Sequence, residues 1–166
     1  IAGKTRHVKL GTQCIIVPWH NPTRLAEYII NLDILSGGRA ILGFGGGLSP
    51  QEFAGMGIDQ NKARALYNDI LDVLIPALET GVIEGEGAYG SIPRTELRPR
   101  PIKSFAGRKF CGSLSGSSMV AAARHGFDHH GIADALPLFC KSGDILRATL
   151  ITQHNRHARP HRVALR

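Results

Sequence analysis

The stretch Leu32-Asp33-Ile34-Leu35-Ser36-Gly37-Gly38-Arg39-Ala40-Ile41-Leu42-Gly43-Phe44-Gly45-Gly46-Gly47 decides the fold class. Its first residues close a segment in which Leu25, Ala26, Ile29, Ile30 and Leu32 recur at helical spacing, an amphipathic helix of about 14 residues. Ser36-Gly37-Gly38 stops that helix, as glycine just beyond a helix end commonly does. Ala40–Phe44 is apolar, too short for a helix, and runs directly into three glycines, so it reads as a buried strand of a parallel sheet.

Working outward, the same alternation repeats on both sides. Upstream, His7–Pro18 reads as one strand, through Val8, Leu10, Ile15, Ile16 and Val17, ended by Pro18. Asn21 caps the helix that follows, and Pro22 suits its first turn. Downstream, Ala63, Leu66, Ile70, Val73, Leu74 and Ala77 form one stripe of a helix over roughly Gln60–Glu79, whose end Pro76 should bend or shorten. Residues 81–101, rich in Gly and Pro, read as loop and short irregular strands, with Thr95–Pro99 extended. Lys109–Leu114 is a further strand, Ser117–His125 a helix, and Gly131–Ala135 the start of another strand. Strand–helix alternation of this kind means βαβ units and a parallel sheet, in either a doubly wound fold or a (β/α)8 barrel. A closed barrel takes about 250 residues, so 166 residues supply three or four of its eight units.

Composition fits a soluble globular domain, with 43% hydrophobic and 20% charged residues. No apolar run reaches the roughly 18 residues of a membrane span. The start, Ile1-Ala2-Gly3-Lys4-Thr5, has neither an initiator Met nor a signal-peptide pattern, and reads as mid-sequence. Cys14, Cys111 and Cys140 are widely spaced with no CxxC, which suggests reduced thiols and a cytoplasmic setting. The net charge of +7 is concentrated at one end: residues 141–166 carry six Lys/Arg against the single acid Asp144. The expected organisation is therefore a body over 1–140 and a basic tail over 141–166, and nucleic-acid binding is disfavoured as the main function.

Several motifs bear on chemistry. Gly43-Phe44-Gly45-Gly46-Gly47 follows a strand, but Leu48 stands where a dinucleotide fingerprint needs its last Gly, and no Gly-Lys-Ser/Thr follows. It is either a tight turn or a place where a flat or phosphorylated ligand meets bare backbone. Ser113-Leu114-Ser115-Gly116-Ser117-Ser118 lies between a strand and a helix; it is an anion site or ordinary N-capping. Arg64, early in its helix, is a solvated surface residue or a phosphate fork. His20 lies at a strand end where barrel catalytic groups gather, or simply bonds a carbonyl. His154, His157 and His161 are interrupted by Pro160 and make a poor metal set.

Taken together, these stretches resemble the luciferase-like monooxygenases. The resemblance is carried by Leu10-Gly11-Thr12, by Pro18-Trp19-His20-Asn21-Pro22 with Arg24-Leu25-Ala26-Glu27, and by Leu32-Asp33 with Leu35-Ser36-Gly37-Gly38-Arg39. It continues through Leu42–Gly45, Glu52-Phe53, Met56-Gly57, Arg64, Leu97–Pro101, and Ser115 with Ser118 before Ala121-Ala122, covering residues 7–127 in the family's order. The Ser-Gly-Gly-Arg run joined to the glycine-rich strand end is its most specific part.

The resemblance implies part of a (β/α)8 barrel with flavin at the C-terminal mouth of the strands. Reduced FMN, or alternatively a deazaflavin coenzyme, would act there on a small organic substrate. It implies that Arg64, Ser115 and Ser118 hold the cofactor phosphate, that Thr12 and Cys14 lie under the ring edge, and that Gly45 and Gly46 let the ring approach the backbone. Some relatives carry a second phosphate arginine where this chain has Gly46 or Gly47. The first two βα units of the family, with the luciferases' catalytic histidine, have no counterpart here, so His20 is not that residue and the catalytic residues stay unassigned. A flavin reductase as partner and a homo-oligomer are further expectations. A truncated, inactive remnant is the alternative reading, and beyond about Ala135 the match fades.

Overall fold

The computed structural model describes residues 1–12, 14–111 and 116–127, with backbone alone over 116–119. Two short strands open the fold, β1 (Leu10–Gly11) and β2 (Ile15–Ile16), followed by a 3-10 turn at Val17–Trp19. Helix α1 (Pro22–Leu35) leads to β3 (Ala40–Gly45), and a short helix α2 (Pro50–Gly55) follows. A 3-10 turn at Gln60–Lys62 enters α3 (Ala63–Thr80). The hairpin β4 (Val82–Gly87) and β5 (Gly90–Glu96) comes next, then β6 (Lys109–Cys111) and α4 (Gly116–Arg124).

β1 and β2 both pair parallel with one side of β3, and β6 pairs parallel with its other side. Strands that follow one another in the chain are thus neighbours in space, with helices between them, as in an arc of a barrel wall. Ala40, Leu42 and Phe44 point to one face of β3 and are fully buried against Leu25, Ile29 and Ile30 of α1 and Ile70, Leu71 and Leu74 of α3. By the two-residue period of a strand, Ile41, Gly43 and Gly45 lie on the opposite, inner face.

The single strand expected over 7–18 is broken, and its register gives the reason. Leu10 and Gly11 pair with Ala40 and Ile41, an offset of 30, whereas Ile15 and Ile16 pair with Phe44 and Gly45, an offset of 29. Between these pairs the chain has three residues against two in β3, which is a bulge. The Thr12 hydroxyl patches the gap: it accepts from the Gly43 amide at 2.9 Å and donates to the Gly43 carbonyl at 3.3 Å.

α1 has the expected cap, with Asn21 Oδ1 accepting from the Arg24 amide at 3.1 Å, and ends at Ser36 before Gly37 and Gly38, both at positive φ. Pro76 does not shorten α3, which continues to Thr80 and ends at Gly81 in the left-handed region. Within residues 81–101, expected as loop and short irregular strands, β4 and β5 form an antiparallel hairpin with a register shift between Ile83 and Gly85. Helix α2 is an addition to the expected elements. Ser49-Pro50-Gln51-Glu52 supplies its cap, with the Glu52 amide donating to Ser49 Oγ at 3.4 Å. The strand expected over Lys109–Leu114 is described as far as Cys111. The expected strand at Gly131–Ala135 and the division at residue 140 lie outside the described residues.

The Ser-Gly-Gly-Arg run is structural. Arg39 donates all its guanidinium N–H groups to neutral oxygens: the carbonyls of Ser36, Thr5, Ala2 and Val8 and the Thr5 hydroxyl. It thereby ties the N-terminal segment to the start of β3. Beside it, Arg108 forms a two-pronged pair with buried Asp33, Nη1–Oδ1 at 2.6 Å and Nη2–Oδ2 at 3.2 Å.

Candidate functional site

The C-terminal end of β3 is where the chain leaves the sheet through Gly45-Gly46-Gly47. Gly47 has φ +81, and a Cβ there would stand 2.7 Å from the Phe53 ring; one on Gly45 would meet Cys14 Sγ at 2.9 Å. These positions require glycine, so bare backbone is presented at the strand end. Beyond it a cavity of about 270 Å³ opens, lined by Gly46, Gly47, Phe53, Arg64 and Tyr67 among others. Cys111 at the end of β6 and Ala121 of α4 also line it.

Arg64 is exposed at the first turn of α3 and makes no hydrogen bond or ion pair among the described residues. Among the described residues, no Asp or Glu lines the cavity. An unpaired guanidinium lining the same space as bare backbone, with no described carboxylate beside it, suits an anion. The volume falls just short of the roughly 300–1,000 Å³ of a whole small-molecule site, so the cavity fits the charged end of a ligand whose body lies outside it. The glycines at 43 and 45 leave the adjoining inner face of β3 without side chains, and a flat ring can approach there. These residues therefore fit a phosphorylated flat cofactor.

Of the expected site residues, the structure brings Arg64 and Gly46 onto one cavity, with Gly45 and Cys14 in contact beside it. Thr12 is on the neighbouring strand, its hydroxyl engaged with β3. Ser118 lies in α4 one turn before Ala121; its side chain, and Ser115 altogether, are outside the described residues. His20 caps the turn after β2, where burial lowers its pKa.

Phe53, Tyr67 and Cys111 also line the cavity, and none of them was expected at the site. Tyr67 follows Arg64 by three residues, so it shares that face of α3, a spacing that was there to be read. Its hydroxyl donates to Cys111 Sγ at 3.6 Å. Burial raises the Tyr67 pKa, and the Cys111 thiol adds to the effect. Burial also raises the Cys111 pKa, partly offset by the bond from Tyr67. Partial burial raises the Cys14 pKa too, with Cys111 contributing. All three groups are neutral near pH 7, so Arg64 supplies the charge in the cavity. Behind Phe53, Trp19 packs edge-on at 5.8 Å between centroids, its buried Nε1 without a partner among the described residues.

The model of the luciferase-like monooxygenases matches residues 1–133. The chain belongs to that family. It is 30% identical over 125 residues to the uncharacterized protein y4vJ of Sinorhizobium fredii, covering 75% of this chain and 36% of that protein. It is 28% identical to the alkanal monooxygenase beta chain of Photorhabdus luminescens, covering 76% of this chain and 39% of the relative. It is also 32% identical to the oxygenase component of the flavin-dependent trigonelline monooxygenase of Acinetobacter baylyi, covering 62% and 29%. The chain thus spans well under half the length of these luciferase-like relatives.

Among solved structures it is similar to monooxygenase RslO1 from Streptomyces bottropensis, with TM-score 0.62 and 26% identity over 85% of this chain and 46% of that one. It is also similar to the coenzyme F420 dependent tetrahydromethanopterin reductase of Methanopyrus kandleri, with TM-score 0.56 and 26% identity over 73% and 39%. The sheet is accordingly an arc of the luciferase-like barrel, and no helix among the described residues is long and apolar enough to cross a membrane.

Proposed function

We propose that this chain forms the phosphate-gripping wall of a flavin-dependent monooxygenase, with Arg64 as its charged contact. The observation that carries the reading is an arginine without an acid partner among the described residues, lining one cavity with the glycine end of β3, where no described residue is an Asp or Glu. Ser115 and Ser118, at the start of α4, would add hydroxyl and amide donors to the same phosphate. Thr12, Cys14, Gly45 and Gly46 would border the ring. The bound flavin supplies the redox chemistry; the chain's own residues bind its anionic end, fix its position and keep the sheet edge open to a flat ring.

A flavin is supported by the named flavin dependence of the related trigonelline monooxygenase, and FMN is the form this reading takes. A deazaflavin coenzyme is the second reading, favoured by the likeness to the F420 dependent reductase. An organic substrate, a separate reductase supplying reduced flavin and a cytoplasmic setting complete the proposal, with the barrel body over residues 1–140 and a basic tail over 141–166.

Flavin fluorescence titration tests the role of Arg64. The wild-type chain should bind FMN more tightly than riboflavin, which lacks the phosphate. Arg64→Ala should weaken FMN roughly tenfold to a hundredfold, the worth of a charged hydrogen bond, and leave riboflavin unchanged. Equal FMN affinity in wild type and variant would remove Arg64 from the site.

A further inference from the structure

At the opposite end of the same strands lies a second cavity, of about 330 Å³. Lys9, Arg39 and Arg108 line it, and each immediately precedes a strand: β1, β3 and β6 respectively. Three neighbouring parallel strands therefore start from a cationic residue, and their charges converge. Lys103, from the loop before β6, and His7 add to the lining, in which no described residue is an Asp or Glu.

Some of this charge is spent and some is not. Arg108 is balanced by Asp33. Arg39 has given its donors away, but only to neutral oxygens, so its positive charge has no countercharge among the described residues. Lys9 and Lys103 make no hydrogen bond or ion pair among the described residues, and both keep free donors. The Lys103 ammonium lies folded over Gly38, which also lines the cavity, 2.6 Å from where a Cβ would be. Three cations without a described countercharge in one concave space focus a positive potential that draws anions in.

We propose that this cavity binds a diphosphate group, with Lys9 and Lys103 as its direct contacts and Arg39 as a fixed charge behind them. A single tetrahedral anion would leave much of the space empty and would balance less of the charge. The site is separate from the Arg64 cavity, which lies past the other end of β3, and it stands or falls independently of the flavin reading.

The test is calorimetric titration of the 166-residue chain carrying Arg64→Ala with inorganic pyrophosphate, so that the other cavity does not report. The expected result is saturable one-to-one binding, weaker for sulfate and weakened by added salt. Lys103→Gln and Lys9→Gln should each reduce pyrophosphate affinity about tenfold through loss of one charged hydrogen bond. Both lysines are exposed, and unchanged thermal unfolding would show that the variants fold. Absence of saturable binding, or a pyrophosphate affinity left unchanged from the Arg64→Ala parent by either lysine substitution, overturns the proposal. So does binding that is present in the wild type and lost with Arg64→Ala alone, because the anion would then sit in the other cavity.

Discussion

Asp33 is 1% exposed, and its carboxylate answers to three partners: the two guanidinium prongs of Arg108 and, at 3.3 Å, the Ala40 amide. Removing it would strand the Arg108 charge, whose side chain is 14% exposed, and orphan the first amide of β3. Losing one partner of a buried pair costs about 3–5 kcal/mol. The remaining exposure of Arg108 puts Asp33→Ala toward the lower figure. Urea unfolding should show this as a lower midpoint at unchanged slope, and a loss below about 1 kcal/mol would mean that solvent readily takes over the role of Asp33. The same reasoning separates two arginines that look alike in sequence. Arg39 is saturated and serves the fold; Arg64 has no partner among the described residues and is available to a ligand.

At the scale of elements, what the sequence showed was whatever apolar periodicity dictates. α1, α3 and β3 were legible because Leu25, Ile29, Ile30, Ile70, Leu74, Leu42 and Phe44 are core residues at regular spacing. The break after β1 was not, since inserting one residue leaves composition untouched and shows only in register. The hairpin was hidden because in β4 and β5 only Ile83 is fully buried; Tyr89 instead covers Gly85 and Gly87 from across the turn, a pairing no local pattern announces. At the site, Arg64 and the glycines were readable, whereas Tyr67 and Cys111 meet across 44 positions of sequence.

The docking of α4 carries a pH dependence of its own. His125, just past its end, is 8% exposed on its side chain, with Nε2 3.8 Å from Asp72 of α3. Burial lowers its pKa below 6.5; Asp72 pulls it back up, and Arg124 and Lys109 push it further down. The folded state therefore binds this proton less readily than the unfolded chain. Its stabilising contribution is complete above about pH 6.5 and is lost as pH falls from there through the folded pKa. Thermal unfolding should thus drop between pH 7 and 5, and His125→Gln should flatten that drop. An identical slope in the variant would assign the acid sensitivity elsewhere, His20 being the next candidate.

For the molecule as a whole, the decisive feature is that its sheet is an arc. In a closed barrel the inner face is packed by side chains from all the strands and no edge remains. Here β1 with β2 forms one edge of the described sheet and β6 the other, and Ile16 and Ile41 are only partly buried. Unpaired edges beside an incompletely covered face favour pairing with another chain. The 166-residue chain on its own should therefore self-associate. Sedimentation velocity should show the average mass rising with concentration, and a dye that fluoresces on apolar surface should bind less per chain as association proceeds. A strictly monomeric chain without dye binding would require the inner face to be covered from within.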